Sequence, residues 1–431
     1  MRTSIAGPIV AAILVAIVGG LAGWYVYLRT HENAIRVSDA ARGFSTTGGL
    51  IGGASENTKN ILSGNTGVSF PGDIAPDSDF LDTSKTGTSS EEHNPPTTAN
   101  TIQFKTPRLW HVAKTPIAGF GFTTADGALT LRYAERATGY IFAADPIEGN
   151  VTRLTNTLRP KTQQAYFSNE FVIERSIEDG VVTSFSGTVG RGATTTTLIG
   201  SKLNDNISFI SIDPSTASIF YLTPTATGSI GTVSKADGSS SNRVFTSILS
   251  GWKPIIMPGH LAIEQLSSDN IPGYAYEIGK NGALSEIVGN VPGLQILPRA
   301  SSTALLWSSA DSSGVNLFAR TAASSTDQKI SLRTIADKCV WAPMTGTTSL
   351  FAYCAVPRTL PPVGFLDKWH QGAYHSNDAW WQVDVGANAT QALYATEESP
   401  DVHSPQIDPT GRFIAFIDGR DGSLWVLRVV K

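Results

Sequence analysis

The sequence has 431 residues, a net charge of −4 and only 16% charged residues, with 41 glycines. This balance argues against a nucleic-acid partner, which needs a clustered basic surface, and the weakly charged, glycine-rich composition is typical of all-β proteins outside the cytoplasm. The two cysteines are too few for a disulfide-rich scaffold.

Residues 1–30 predict a transmembrane anchor. The 24 residues from Ile5 to Leu28 include no charged side chain. That length lets a helix cross a hydrocarbon core of about 30 Å. The aromatic residues Trp24 and Tyr27 suit the membrane interface, which favours an uncleaved anchor over a cleaved signal peptide or a buried soluble helix. Flanking charges do not set the orientation. Our expectation of a single-pass cell-membrane protein with an extracytoplasmic domain rests on composition and on the cysteines.

Two glycines inside this span, Gly19 and Gly23, lie four residues apart. Small residues at this spacing allow close approach of two membrane helices, which makes a homodimer through Gly19 and Gly23 possible. The alternative is that glycine is simply common in membrane helices.

Residues 31–100 predict a flexible linker. They are rich in Gly, Ser, Thr, Asn and Pro and contain few bulky apolar side chains. Such a segment cannot bury enough apolar surface to offset the entropy lost on ordering. A flexible chain of this length has an end-to-end distance of roughly 45 Å.

Residues 101–431 contain a repeat of short apolar runs, each followed by a turn. The turns begin at or next to Asp126, Asn169, Pro214, Pro258, Pro298, Pro343 and Pro409. Successive turns are 40 to 45 residues apart, except for the last interval of 66. Blades of four strands have this length, so the pattern predicts an all-β domain folded as a seven-bladed β-propeller. Six or eight blades are the alternatives.

The last repeat, from Ser404 to Arg428, is the clearest. It contains the turn Asp408-Pro-Thr-Gly411, an apolar strand, an Asp-Gly hairpin turn and the strand Leu-Trp-Val-Leu. These 25 residues resemble a blade of the TolB-like, WD40-like (PD40-repeat) β-propeller superfamily, here in a membrane-anchored bacterial form. The resemblance implies binding of partner proteins or peptides at one face, but the matching positions are framework positions and identify no binding residue.

The chain ends directly after the third strand of this last repeat. The last blade would therefore lack its outermost strand. We expect a strand near residues 101–110 to supply it and to close the ring of blades.

The two cysteines occupy neighbouring strands of the sixth repeat. Cys339 opens the first strand and Cys354 ends the second. Facing positions of an antiparallel pair are within reach of a disulfide, which favours a bond between them. The alternative is two buried free thiols.

The most unusual stretch is the long insertion between Pro357 and Asp384. It concentrates five candidate binding residues: Trp369, His370, Tyr374, His375 and Asp378. Three interpretations compete. The aromatic residues form a recognition surface for a protein or glycan, His370, His375 and Asp378 bind a metal, or the loop folds over the propeller and its aromatic residues are local core.

Familiar catalytic motifs are absent from the sequence. The carboxylate pair Glu174 and Glu178 is interpreted as an exposed blade edge. We therefore expect no enzymatic activity, no cofactor and no metal. The expected function is a noncatalytic scaffold that binds an envelope protein or a cell-wall component. The alternative is an envelope enzyme, a glycan-active hydrolase or lyase, with its site in the propeller channel.

Overall fold

The computed structural model describes residues 103–430, except 126, 192–195, 322–323, 345–349 and 398. The anchor expected in residues 1–30, with Gly19 and Gly23, and the linker expected in residues 31–100 lie outside the described residues. Within the described part of the chain, no helix is both long enough and apolar enough to span a membrane.

The described residues form seven four-stranded antiparallel sheets, which confirms the all-β, seven-bladed propeller. Blade one contains β2 (Ile117–Ala125), β3 (Ala128–Glu135), β4 (Ile141–Ala144) and β5 (Val151–Arg153). Blade two contains β6 (Thr162–Phe167), β7 (Phe171–Glu178), β8 (Val181–Arg191) and β9 (Thr196–Lys202). Blade three contains β10 (Phe209–Asp213), β11 (Ser218–Thr225), β12 (Gly228–Lys235) and β13 (Asn242–Ser247).

Blade four contains β14 (Trp252–Met257), β15 (His260–Gln265), β16 (Pro272–Ile278) and β17 (Leu284–Pro292). Blade five contains β18 (Gln295–Pro298), β19 (Leu305–Asp311), β20 (Gly314–Thr321) and β21 (Ser324–Ile330). Blade six contains β22 (Cys339–Trp341), β23 (Phe351–Pro357), β24 (Asp378–Asp384) and β25 (Ala389–Tyr394). A short 3₁₀ helix, Ala336–Lys338, precedes β22, and helix α1 (Phe365–His370) lies between β23 and β24.

The seventh blade joins the two ends of the described chain. It contains β26 (Val402–Ile407), β27 (Phe413–Asp418), β28 (Leu424–Arg428) and, as its outermost strand, β1 (Leu109–Ala113). Strand β1 pairs with β28 in antiparallel register, with Leu109 opposite Leu427. The expected ring closure by an N-terminal strand is therefore confirmed, with the strand at residues 109–113.

The predicted turns all follow the first strand of a blade. At the last of them, the Asp408 carboxylate accepts hydrogen bonds from the backbone N–H groups of Arg412 (2.7 Å) and Phe413 (2.6 Å). Gly411 has a φ of 74°, a conformation that glycine adopts without strain. The Asp-Pro-Thr-Gly sequence thus encodes the turn locally.

The core is divided among the blade interfaces. Seven clusters of buried residues each join two neighbouring blades, including the seventh and the first. Successive side chains of a strand point to opposite faces. In β7, Val172 therefore packs between blades one and two, whereas Ile173 packs between blades two and three.

The antiparallel order gives the ring two distinct faces. The first strand of every blade begins at one face, here called the upper face, where α1 also lies. The opposite, lower face carries the predicted turns and both ends of the described chain. Near its beginning, Phe104 packs edge-on against Phe413 with ring centroids 5.8 Å apart. The chain therefore enters the propeller from the lower face.

Candidate functional site

Helix α1 lies on the upper face with one apolar side buried. Phe365, Leu366 and Trp369 are on this side and pack against a small cluster that includes Val315 of blade five and Ile335. Residues three and four positions apart lie on the same side of a helix, which places Trp369 beside both Leu366 and Phe365. The helix is thus docked on blade five, although its loop belongs to blade six.

A second contact ties α1 to blade four. The backbone N–H of Asp367 donates a hydrogen bond of 2.8 Å to the carboxylate of Asp269, which lies in the loop between β15 and β16. Burial and the nearby Asp269 carboxylate raise the pKa of Asp367. The helix therefore bridges three blades across the upper face.

A buried lysine holds the loop that follows α1. Lys338 is fully buried, and its Nζ donates to Asp378 Oδ2 at 2.6 Å and to Asp401 Oδ1 at 2.7 Å. It also lies 3.0 Å from Ser376 Oγ and from the carbonyl oxygen of Val402. Charge-assisted hydrogen bonds of this kind are stronger than neutral ones. Lys338 thus fastens the loop of blade six to the first strand of blade seven.

Asp401 is the centre of this network. Its Oδ1 also accepts a hydrogen bond from Trp369 Nε1 at 2.9 Å, and its Oδ2 accepts from His375 Nδ1 at 3.0 Å and from His403 Nε2 at 3.2 Å. Burial alone would raise the pKa of Asp401. The hydrogen bond from His403 and the positive charge of Lys338 outweigh burial and hold this pKa well below its usual range. The carboxylate therefore stays ionised.

The pair formed by His375 and Asp401 has the geometry of an acid–base centre. Because an ionised carboxylate only accepts hydrogen bonds, His375 Nδ1 is the donor in this contact and carries a proton. The His375 side chain is 34% exposed, whereas Asp401 is fully buried. A buried aspartate that orients a solvent-exposed histidine is the arrangement that enzymes use for proton transfer.

A second group of polar residues, here called the channel group, lies where the first strands β14 and β22 begin at the upper face. First strands of neighbouring blades contact each other and surround the central channel of the ring. Lys253 Nζ is 3.0 Å from Asp337 Oδ1 and 3.9 Å from Glu264 Oε2. Burial opposes the positive charge of Lys253, but the two carboxylates raise the pKa of this lysine above its ordinary value. Burial raises the pKa of Glu264 to about 7, although Lys253 acts in the opposite direction. The ion pair is partly open to solvent, since Lys253 and Asp337 each expose about a third of their side chains.

His370 joins this second group. Its Nε2 lies 3.1 Å from Gln295 Nε2. An amide nitrogen only donates hydrogen bonds, so His370 Nε2 accepts and the ring is neutral with its proton on Nδ1. Burial lowers the pKa of His370, which favours the same neutral form.

The five candidate residues therefore fall into three environments. Trp369 and Asp378 are buried and bind the network of Lys338 and Asp401, so Trp369 contributes to local core. His375 binds the same network but is exposed. Tyr374 is half-buried and meets Phe365 edge-on at 5.5 Å, and His370 lies at the channel instead. His370, His375 and Asp378 thus have different partners. No group of three metal-ligating side chains occurs in the described part of the chain.

Sequence reasoning missed Lys338, Asp401 and His403. Lys338 immediately precedes β22, and Asp401 immediately precedes β26, so the two occupy equivalent positions of consecutive repeats. Their shared position, a charged residue directly before the first strand of a blade, was the sequence signal that could have identified them as candidate site residues. Neither residue belongs to a recognisable short motif.

Cys339 and Cys354 form a disulfide with an S–S distance of 2.11 Å. The two residues face each other in the register of β22 and β23, and both are buried. The bond therefore crosslinks the two strands directly after Lys338.

No protein-family model and no curated protein matches the chain. Solved structures match it at low identity. The β-propeller domain of the Trilobed protease from Pyrococcus furiosus is 8% identical, with 73% of this chain and 98% of that chain covered and a TM-score of 0.46. A catalytically inactive virginiamycin B lyase from Staphylococcus aureus, in a structure with quinupristin, is 12% identical, with 75% and 99% covered and a TM-score of 0.46.

The tricorn protease is 10% identical, with 73% of this chain covered and a TM-score of 0.45. The match spans only 34% of the length of that protease. These likenesses concern the fold alone. The sheet topology itself makes the domain a seven-bladed propeller, a fold that serves many unrelated functions.

Proposed function

We propose that this chain is a noncatalytic scaffold of the cell envelope that binds a partner protein at the upper face of its propeller. In this proposal residues 1–30 anchor the chain in the membrane, and residues 31–100 link the anchor to an extracytoplasmic domain. The uncharged run from Ile5 to Leu28 supports the anchor. The bond between Cys339 and Cys354 supports an oxidising compartment.

One observation carries the binding role. Six aliphatic side chains are exposed in three loops of the upper face, and we call them the aliphatic rim: Ile248 (86% exposed), Leu249 (48%), Leu266 (43%), Ile271 (63%), Leu360 (68%) and Val363 (66%). Clustered exposed apolar side chains mark interaction sites. Glycan sites instead present aromatic rings, and the loop's Trp369 is buried. The aliphatic rim therefore favours a protein over a wall polysaccharide.

The position of the rim fits an anchored protein. The described chain begins at the lower face, so a linker to the membrane attaches on that side. The upper face is then directed away from the attachment point, and an envelope protein reaches it without obstruction by the linker.

Site-specific photo-crosslinking in cells tests this proposal. A crosslinker in place of Ile271 should capture one defined protein, and Val363→Asp should abolish that product. The control is a crosslinker in place of Leu284, which is 46% exposed at the opposite, lower face. The same product from both positions contradicts the proposal, as does saturable binding of the full chain to purified cell-wall glycan without a protein adduct.

The homodimer through Gly19 and Gly23 remains part of the proposal. Close packing of two membrane helices requires small residues at the contact. Replacement of both glycines by leucine should therefore reduce crosslinking between two copies of the full chain. Unchanged crosslinking would exclude this contact.

A second candidate function is an envelope enzyme, a glycan-active hydrolase or lyase. The observation that favours it is the pair of His375 and Asp401, with Glu264 and Lys253 at the nearby channel. Release of soluble fragments from purified cell wall by the full chain, lost in His375→Ala or in Glu264→Gln, would support the enzyme. Absence of release by the wild-type chain is the result expected of a scaffold.

A further inference from the structure

A separate cleft opens on the upper face between blades one and two. It has a volume of about 330 Å³ and is lined by one side of β7, with Glu174, Ser176 and Glu178, and by the loop that carries Arg159 and Lys161. Alternate residues of a strand share a face, which explains why positions 174, 176 and 178 line it together. None of these residues belongs to the aliphatic rim, the channel group or the Asp401 network.

Glu174 is buried at the base of this cleft, with only 3% of its surface exposed. The interpretation of this residue as an exposed blade edge is therefore wrong. Arg159 Nε lies 2.8 Å from Glu174 Oε2, yet neither carboxylate oxygen receives a well-aligned hydrogen bond from the described residues. Burial raises the pKa of Glu174 to about 7, against the effect of Arg159. Buried carboxylates normally have donors, so this one has capacity for a ligand.

Arg159 is held in place from several directions. Its backbone N–H donates to the Thr138 carbonyl oxygen at 2.7 Å, and its carbonyl oxygen accepts from Thr162 Oγ1 at 2.7 Å. Its guanidinium lies over the Phe185 ring at 3.9 Å, and Glu174 occupies its Nε. The two terminal Nη groups have no partner among the described residues, and 32% of the side chain is exposed.

This arrangement identifies the ligand chemistry. An arginine fixed by stacking and by a buried carboxylate, with free Nη groups, is suited to bidentate recognition of a carboxylate. The exposed Lys161 adds a second positive charge. Glu178 and, in its ionised form, Glu174 add negative charges in the same cleft, which suit an ammonium group. Opposite charges on two walls favour a ligand that carries both.

We propose that the cleft between blades one and two binds a small zwitterion such as a free amino acid, with its carboxylate on Arg159 and its ammonium group near Glu174. The inference is independent of the proposed scaffold function, since it uses none of the residues of the aliphatic rim.

Saturation-transfer NMR on the full chain in detergent tests the proposal with three probes: L-alanine, acetate and methylamine. Alanine should bind saturably, acetate more weakly and methylamine most weakly. Arg159→Gln should weaken alanine binding by at least about tenfold, the loss expected for a charged hydrogen-bond pair. The matched control is Arg153→Gln. Arg153 stacks over Tyr140 at 4.8 Å outside the cleft, and its loss should leave binding unchanged.

Two further variants separate ligand binding from folding. Arg159→Lys keeps the charge beside Glu174 but loses the planar fork, so the domain should unfold near the wild-type temperature while alanine binding weakens. Glu174→Gln should weaken alanine binding and leave acetate binding unchanged. The proposal is overturned if alanine shows no saturable binding up to roughly 10 mM, if Arg159→Lys binds as the wild type does, or if Glu174→Gln weakens both probes equally.

Discussion

Replacement of Lys338 by methionine should destabilise the propeller strongly. The fully buried Nζ lies between two buried carboxylates, at 2.6 Å from Asp378 and 2.7 Å from Asp401. Methionine fills a similar volume but leaves both carboxylates without their counter-ion. Removal of one partner from a buried ion pair typically costs about 3–5 kcal/mol of the free energy of unfolding.

This loss predicts a measurable change in unfolding temperature. For a cooperative unit of about 330 residues, 3–5 kcal/mol corresponds to a decrease of about 4–7 °C. Differential scanning calorimetry of the full chain measures it. The loop that carries Trp369 should also loosen, because the Asp401 carboxylate that binds its indole N–H loses its fixed position. A red shift of tryptophan fluorescence before global unfolding would report that change.

Lys105→Met is the matched control. Lys105 also pairs with a carboxylate, that of Glu148, but both side chains are exposed, at 69% and 41%. Exposed pairs contribute little to stability, so this variant should unfold at the wild-type temperature. If Lys338→Met also unfolds at that temperature, the buried network does not hold the loop and the reasoning fails.

Two further predictions concern the disulfide and the cleft between blades one and two. Replacement of Cys339 and Cys354 by alanine should lower the free energy of unfolding by about 3 kcal/mol, since the bond closes a loop of 15 residues; an equal urea midpoint for both proteins under non-reducing conditions would contradict it. The pKa of Glu174 is raised from 4.5 to about 7, so the folded state favours the protonated acid. The protonated Glu174 therefore adds to the free energy of unfolding below about pH 4.5, and this contribution is lost as the pH rises through 7. Relative to Glu174→Gln, the wild type should therefore lose about 3 kcal/mol over this range. Parallel urea midpoints of the two proteins at pH 4.5 and pH 8 would contradict this.

The blade repeat was predictable because its signals are local. At Asp408-Pro-Thr-Gly411, the turn is made by the carboxylate and backbone of the same few residues, so the sequence there specifies the structure directly. Ring closure was predictable by counting strands, since a last blade of three strands requires a fourth from elsewhere in the chain.

The site was less predictable because its contacts are distant in sequence. Lys338 and Asp401 are 63 residues apart, and neither stands in a pattern that announces the other. Trp369 illustrates the same limit: a tryptophan in a long loop has the same sequence signature whether it is buried or exposed. Glu174 was misread because both faces of a blade strand pack against neighbouring blades, so alternation does not place a charged residue in solvent.

The upper face carries three candidate sites that separate substitutions can distinguish. The aliphatic rim lies in the loop before blade four and in loops of blades four and six. The pair of His375 and Asp401 joins blades six and seven. The cleft that contains Arg159 lies between blades one and two. Because each blade interface has its own core cluster, changes at one interface should act nearly independently of changes at another. Ile271→Asp should abolish partner capture and leave alanine binding intact, whereas Arg159→Lys should do the reverse. Loss of both functions in either variant would mean that the two sites are one.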